Sequence, residues 1–277
     1  MAWLYRSSAL QRIGLLFSAG VGTGLSFAPF YLLPLLAISY PLLLLVVFKS
    51  KRYLEAFSYG WWFGFGQFFF GLIWIAEAFE VDDRYSGVVG YLAVGSLAAG
   101  LAIFSAIVTG GLWQLFKHKD TERYCLSRAF AFVALWGLSE WVRGHIFTGF
   151  PWNLVGYAWG FSDVMLQTVA LWGIYGLGLF TLFLAAVPYV LIQNIRQGKS
   201  IRAVMVGSLF VLAAMGIYGT VQLSVPTEFR DDVTLRVVQA NISQQDKWNP
   251  VKKAENFLKY LRMSKSPPQV GVTHVIW

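Results

Sequence analysis

Glu140 and Arg143 are the first charged residues to consider for chemistry, because they lie within an otherwise apolar segment, "LSEWVRGH". A charged side chain at mid-bilayer costs about 2.5–3.5 kcal/mol on insertion scales, so such residues usually have a function or a partner. Their spacing of three puts both on one helical face, near the end of the segment. Two interpretations stay open: a mutually neutralising pair near the membrane interface, or a contribution to a polar pocket.

The loop "TGFPWNLVGYAWG", Thr148–Gly160, follows directly and is rich in aromatic residues and glycine. Pro151 predicts a turn. Trp and Tyr favour the headgroup level of a bilayer, so an interfacial aromatic belt explains much of this composition. It explains less well a Pro-Trp-Asn turn that holds Asn153 at lipid depth. We therefore consider Pro151, Trp152 and Asn153 candidates for a lipid headgroup site.

The remaining nucleophiles and metal ligands do not form a complete catalytic constellation. Cys125 is the one cysteine of the chain and lies in a charged loop, which predicts an ordinary reduced thiol and excludes an intrachain disulfide. His145 and His274 are isolated in the sequence, and no metal-ligand or phosphate-loop spacing is present. We expect no metal and no cofactor.

The elements that carry these residues are membrane helices by composition. Of the 277 residues, 57% are hydrophobic and 13% are charged, whereas a soluble domain has about 25% charged residues. The apolar segments run roughly over 12–28, 31–48, 56–79, 88–116, 127–144, 164–195 and 202–222. This predicts a polytopic helical bundle of about seven spans, the first two forming a tight hairpin broken at Pro29 and Pro34.

The positive charge follows the membrane topology. Twelve of the 22 Lys and Arg residues fall on one side of the predicted bundle: Arg6, Arg12, Lys49, Lys51, Arg52, Lys117, Lys119, Arg123, Arg128, Arg196, Lys199 and Arg202. The positive-inside rule puts this side and the N-terminus in the cytoplasm, and the loop at 148–160 outside. The net charge of +8 is thus a topology signal, and nucleic acid is not an expected partner.

Residues 223–277 differ in character from the bundle, 1–222. "TLRVVQANI" predicts a strand over 234–242, "NPVKKAENFLKYLRMS" a helix over 249–264, and "VTHVIW" a second strand of a composition typical of buried strands. Strand, helix and strand would begin a layered α/β domain. One such unit cannot form a stable core, so we expect this domain to be incomplete.

Four stretches carry a resemblance along essentially the whole chain: "SFAPF", "GWWFGFGQFFFGLIWI", "ALWGLSEWVRGHIFTGFPWNLVGYA" (Ala134–Ala158) and "VVQANISQQDKWNP". Together they resemble the bacterial apolipoprotein N-acyltransferase family. The resemblance implies an inner-membrane bundle followed by a periplasmic nitrilase-like domain of αββα layers. It also implies a phospholipid acyl donor and, as acceptor, the diacylglyceryl-cysteine of an apolipoprotein.

The family's catalysis uses a Glu-Lys-Cys triad and a thioester acyl-enzyme. Its members follow the second nitrilase strand with Trp-Pro-Glu, so the triad Glu would come two residues after Trp277, and the Lys and Cys further downstream. We therefore expect an N-terminal portion that holds the membrane part, lacks the triad and is inactive by itself. The resemblance makes Trp248 a candidate contact of the acyl or substrate pocket; packing of the domain onto the membrane is the alternative.

Two other hypotheses remain open from the residues. One is a truncated, non-catalytic membrane protein. The other is a small-molecule transporter, which would predict internal repeats or paired broken helices with intramembrane charges in both halves. The sequence has neither feature.

Overall fold

The computed structural model describes residues 8–80, 87–119, 124–247, 249–265 and 271–277. Its helices and strands, in chain order, are α1 (Ala9–Gly24), α2 (Leu36–Val47), α3 (Tyr53–Gly71), α4 (Gly87–Phe116), α5 (Cys125–His145), α6 (Asp163–Leu166), α7 (Val169–Arg196), α8 (Arg202–Ser224), β1 (Leu235–Val237), α9 (Gln244–Lys247), α10 (Lys253–Lys265) and β2 (His274–Ile276). Short 3-10 helices cover Leu33–Leu35, Ile73–Phe79 and Val155–Trp159.

Each of the seven predicted apolar segments overlaps one long helix, and these helices pack as a bundle. The main packing pairs are α1 with α3, α3 with α4, α5 with α7, and α2 with α7. Contacts at the two ends match the predicted alternation of direction. At one end Arg12 of α1 reaches Glu55 of α3; at the other, Trp74 contacts Trp152.

Small residues let α1, α3 and α4 approach closely. A Cβ at Gly20 of α1 would overlap backbone atoms of Phe63, and a Cβ at Gly60 would overlap the Thr109 side chain of α4. Lipid is as apolar as leucine, so helices in a membrane gain little from burying apolar side chains and associate mainly by close packing. Glycine is therefore required where these backbones meet.

A buried aromatic cluster supports the inner face of α5. Tyr40 of α2 packs within 5.0–5.6 Å, centroid to centroid, of Phe63, Phe132 and Trp136. Trp136 lies one helical turn before Glu140, so this cluster fixes the helix that carries the candidate charges.

Three helices among the described residues, α4, α7 and α8, are long and apolar enough to cross a membrane. A fourth span results if α3 and the 3-10 helix Ile73–Phe79, bent by 50° at Leu72, count as one. The structure is thus a helical membrane-type bundle with three to four candidate spans. At about 1.5 Å per residue, α1 and α2 are shorter than the roughly 30 Å of a bilayer core.

The sixth predicted segment is not one continuous helix. α6 is a separate turn, and α7 is interrupted at Trp172 and Gly173, where the glycine has a φ of 66°. Such a left-handed conformation is readily adopted only by glycine, so this residue permits the break.

The tail contains two three-residue strands with two helices between them, and these elements are shorter than predicted. β1 and β2 pair in parallel, Leu235 opposite His274, and α10 begins at Lys253 rather than at Asn249. The expectation of a buried second strand was wrong for this chain: all three residues of β2 are exposed, because its sheet has two strands among the described residues. A two-stranded pair does not identify a nitrilase-like domain, which stays a prediction.

One ion pair organises the connection before α10. The Lys252 ammonium lies 2.9 Å from Asp246 and holds the pKa of that carboxyl below its usual range. Asn256 also donates to the Asp246 carbonyl oxygen, at 2.8 Å. Trp248, the candidate pocket residue between them, lies outside the described residues.

Candidate functional site

The loop between α5 and α6 is folded around Arg143. The guanidinium Nη1 donates to the carbonyl oxygens of Phe150 and Trp152, both at 2.7 Å, and the Phe150 amide donates back to the Arg143 carbonyl at 2.9 Å. The guanidinium also lies 5.0 Å from the ring centroid of Phe68 on α3. One side chain therefore joins the loop to two helices.

Glu140 holds the next part of the same loop. Its Oε1 accepts a hydrogen bond from the Val155 amide at 3.0 Å, and a Cβ at Gly178 of α7 would lie 3.4 Å from Oε2. Glu140 and Arg143 are only 4% and 3% exposed. They are thus buried beneath the loop rather than solvated at an interface, and their hydrogen bonds run to the loop backbone. A binding role for them stays a prediction.

The Pro-Trp-Asn turn projects from this anchored loop. Trp152 is half-exposed, with its ring centroid 5.3 Å from that of Trp74. Asn153 has a φ of 53°, a left-handed conformation that asparagine tolerates better than most residues. Its amide packs beside Gly71 at the end of α3, where any Cβ would overlap Nδ2. Nδ2 is buried and has no hydrogen-bond partner within the described parts of the chain.

A cavity of about 790 Å³ lies where the turn meets the rest of the bundle. Its walls are Pro151–Asn153, the hairpin turn Phe27–Tyr31 between α1 and α2, and Gly71 with Trp74 at the end of α3. Ligand cavities of this size are usually apolar with a few oriented polar groups. Asn153 is a polar residue of the wall, with its Nδ2 packed against Gly71, and aromatic rings form much of the remaining wall.

The sequence indicated only part of this cavity. Pro151, Trp152 and Asn153 line it, while Glu140 and Arg143 hold the loop in place. The walls supplied by Tyr31, Gly71 and Trp74 were missed as site residues. The only signal for them was that "SFAPF" and "GWWFGFGQFFFGLIWI" belong to the stretches that carry the family resemblance.

A smaller cavity of about 430 Å³ lies on the other side of the loop, between Phe147–Phe150 and α4. Arg143 contributes to its wall, and the side chain of Phe147 is 99% exposed. The loop is therefore flanked by two apolar recesses.

Cys125 lies far from this site. It begins α5, whereas Arg143 lies close to the end of that helix, so about 27 Å of helix separates them. Its thiol is buried, 3.5 Å from Asn194 Oδ1. In the parts of the chain that the structure describes, no group of three His, Cys, Asp or Glu residues could hold a metal ion.

We expect Asn153→Gly to preserve the turn and to weaken phospholipid binding about fivefold, the equivalent of one lost hydrogen bond. Asn153→Ala removes the same amide and also disfavours the positive φ, so its loss of affinity should be larger. Native mass spectrometry of the purified chain titrated with phosphatidylethanolamine measures both. Unchanged affinity in the glycine variant would show that the amide does not contact lipid.

Comparisons with known proteins match the sequence of this chain to one family. Residues 19–187 match the family described as "Apolipoprotein N-acyltransferase N-terminal domain". The matched range includes Glu140, Arg143, the whole loop and the other walls of the cavity.

Curated relatives carry the name "Apolipoprotein N-acyltransferase". The relative from Rhodopseudomonas palustris is 37% identical over 290 residues, an alignment that covers 100% of this chain and 52% of the relative. The relative from Rickettsia bellii is 35% identical, and the alignment covers 93% of this chain and 49% of the relative. The relative from Caulobacter vibrioides is 36% identical, and the alignment covers 96% of this chain and 49% of the relative. The chain spans about half the length of the curated relatives it matches.

Proposed function

The chain belongs to the apolipoprotein N-acyltransferase N-terminal domain family, and from this we propose that it is the membrane part of a phospholipid-dependent acyltransferase. The acceptor would be the α-amine of the diacylglyceryl-cysteine of an apolipoprotein, in the last step of lipoprotein maturation. The acyl chain would pass through a thioester acyl-enzyme.

The anchored loop and its cavity are the observation that supports this proposal. Both proposed substrates are lipids, which need an apolar recess that opens near the membrane surface and a few polar groups to orient the headgroup. The cavity of about 790 Å³ and the buried Asn153 amide meet these requirements. Arg143 and Glu140 would act as positioning residues, because they hold the loop that forms one wall.

We propose that all seven long helices belong to the membrane part, within the bacterial inner membrane. The end that carries Arg12, Lys51 and Arg128 would face the cytoplasm by the positive-inside rule. The loop at 148–160 would then lie at the periplasmic end, and residues 223–277 would begin a nitrilase-like domain on that side. α1 and α2, too short to span alone, would form a helical hairpin held by α3.

The covalent step requires a thiolate, and the one cysteine of the chain, Cys125, is not among the described residues that line the cavity. In the proposed reaction a thiolate attacks the ester carbonyl of the phospholipid, the C–O bond breaks, and lysophospholipid leaves with a proton. The acceptor amine then attacks the thioester, an amide forms, and the thiol is regenerated. Cys125 cannot serve as the nucleophile, since it is buried at the opposite end of α5. Purified residues 1–277 are therefore expected to bind phospholipid without acyl transfer.

Depletion, in its host, of the gene product that contains these 277 residues tests the function directly. The N-terminal peptides of lipoproteins, analysed by mass spectrometry, should shift from N-acylated forms to forms with a free α-amine. Expression of the unchanged gene from a plasmid should restore N-acylation. Lipoproteins that stay N-acylated throughout depletion would contradict the proposal.

A further inference from the structure

A further cavity lies at the opposite end of the bundle from the loop. Its volume is about 350 Å³, and four cationic side chains line it: Lys51, Lys117, Lys119 and Arg128. They come from three places in the chain, namely the α2–α3 connection, the end of α4 and the first turns of α5. The topology therefore concentrates positive charge in one recess.

Arg128 is the buried cation in the wall of this recess. It is 98% buried, since its exposed fraction is 2%, and its guanidinium lies 4.3 Å from the ring centroid of Phe48 and donates to the Lys119 carbonyl. Trp113 closes another side, its indole donating to the Ser50 carbonyl at 2.8 Å. These contacts fix the Arg128 and Trp113 side chains in the wall. The Lys51 and Lys117 side chains, by contrast, are exposed.

The described residues that line the recess include four cations. No carboxylate occurs among the described lining residues. Glu55, one turn into α3, is engaged elsewhere: its Oε1 lies 3.3 Å from Arg12 and its Oε2 accepts from the Lys51 backbone amide. Like charges held together in a partly buried recess favour binding of an anion.

The surroundings indicate that the anion carries acyl chains. Aromatic rings of Phe48, Trp113 and Phe116 line the recess at the level where the helices end, which is where headgroups lie in a bilayer. Next to it, Leu115 of α4 and Leu126 of α5 are exposed, so an apolar surface continues from the recess along the helices. Basic recesses between helix ends recognise anionic lipid headgroups elsewhere.

We propose that this recess binds the phosphodiester headgroup of an anionic phospholipid from the leaflet at the basic end. Lys51 and Lys117 contact the phosphate, Arg128 forms the floor, and the acyl chains run along α4 and α5. This site is separate from the loop cavity and does not depend on the proposed acyl transfer.

A double variant with a matched control tests the site. K51Q/K117Q removes two exposed cations from the recess, whereas K199Q/R202Q removes two exposed cations from the α7–α8 connection at the same end. With the full chain in detergent, native mass spectrometry gives the affinity for phosphatidylglycerol. We expect a loss of about tenfold or more in K51Q/K117Q and less than about twofold in K199Q/R202Q.

Three results would overturn the proposal. The first is an equal loss in both variants, which would indicate diffuse attraction by the basic end. The second is equal binding of phosphatidylglycerol and phosphatidylcholine by the unchanged chain. The third is binding of inorganic phosphate as tight as that of phosphatidylglycerol, which would make the ligand a free anion. Thermal unfolding of each variant, expected within about 2 °C of the unchanged chain, checks that the fold is intact.

Discussion

Arg143→Leu is expected to release the loop from the bundle and to abolish phospholipid binding at the large cavity. The substitution removes both hydrogen bonds from Nη1 to the carbonyls of Phe150 and Trp152. Hydrogen bonds to charged groups contribute about 1.5–3 kcal/mol each, and the two carbonyl oxygens of this partly buried contact would lose their charged donor. Glu140 would also lose the neighbouring positive charge. We expect a fall of at least tenfold in phosphatidylethanolamine affinity and faster amide exchange over 150–160.

Two other variants distinguish the loss of the contact between Arg143 and the loop from a general loss of protein stability. Arg143→Lys keeps the charge but lacks the planar guanidinium, so partial loss is expected. Arg230→Leu removes an exposed arginine in the tail, paired with Asp232, and should leave both measurements unchanged. If Arg143→Leu binds lipid normally and its loop amides exchange at the unchanged rate, the loop is held by its own packing and Arg143 is not a positioning residue.

The sequence indicated that Glu140 and Arg143 lie near each other, but it did not indicate which groups they contact. A spacing of three placed Glu140 and Arg143 on one helical face. Their partners, however, are a backbone amide and two backbone carbonyls, and backbone groups have no sequence signature. Whether the two charges would pair at an interface or hold a loop depended on how residues 146–155 fold back over α5.

The cavity shows a second limit of sequence reasoning. Periodicity and hydropathy identify each helix separately: each of the seven predicted apolar segments overlaps a helix, although only three to four candidate spans occur among the described residues. The walls of the cavity come from the α1–α2 turn, the end of α3 and the loop after α5, which are distant in sequence. From the sequence alone, Gly71 is only a residue of low helix propensity. In the structure, the Asn153 amide packs against it. Only tertiary packing reveals that role.

The two ends of the bundle differ in the polar groups they offer to lipid. The loop end has a large apolar cavity with one buried neutral amide, which suits a lipid whose chain must enter the protein. The basic end has a small recess with four cations, which suits a headgroup held at the surface. This difference predicts that phosphatidylethanolamine affinity responds to Asn153 and phosphatidylglycerol affinity to Lys51 and Lys117.

Gly20→Leu should have the largest effect on stability of the changes considered. A Cβ at this position would overlap the Phe63 carbonyl oxygen and lie 2.9 Å from the Gln67 backbone nitrogen. These are backbone atoms of α3, so no side chain can move aside and the two helices must separate. Overpacking costs about 1–3 kcal/mol where side chains can adjust, and more is expected here. Thermal unfolding in detergent, followed by circular dichroism, measures the loss.

Gly14→Leu is the matched control, because it lies on the same helix and a Cβ there has nothing within 4 Å. Leucine favours a helix over glycine by up to about 1 kcal/mol, so this variant should be as stable as the unchanged chain or slightly more stable. Separation of α1 from α3 would also displace the hairpin turn Phe27–Tyr31 and open the cavity. Gly20→Leu should therefore lose phosphatidylethanolamine binding while Gly14→Leu retains it. Equal stability of the two variants would show that the contact between α1 and α3 does not hold the hairpin in place.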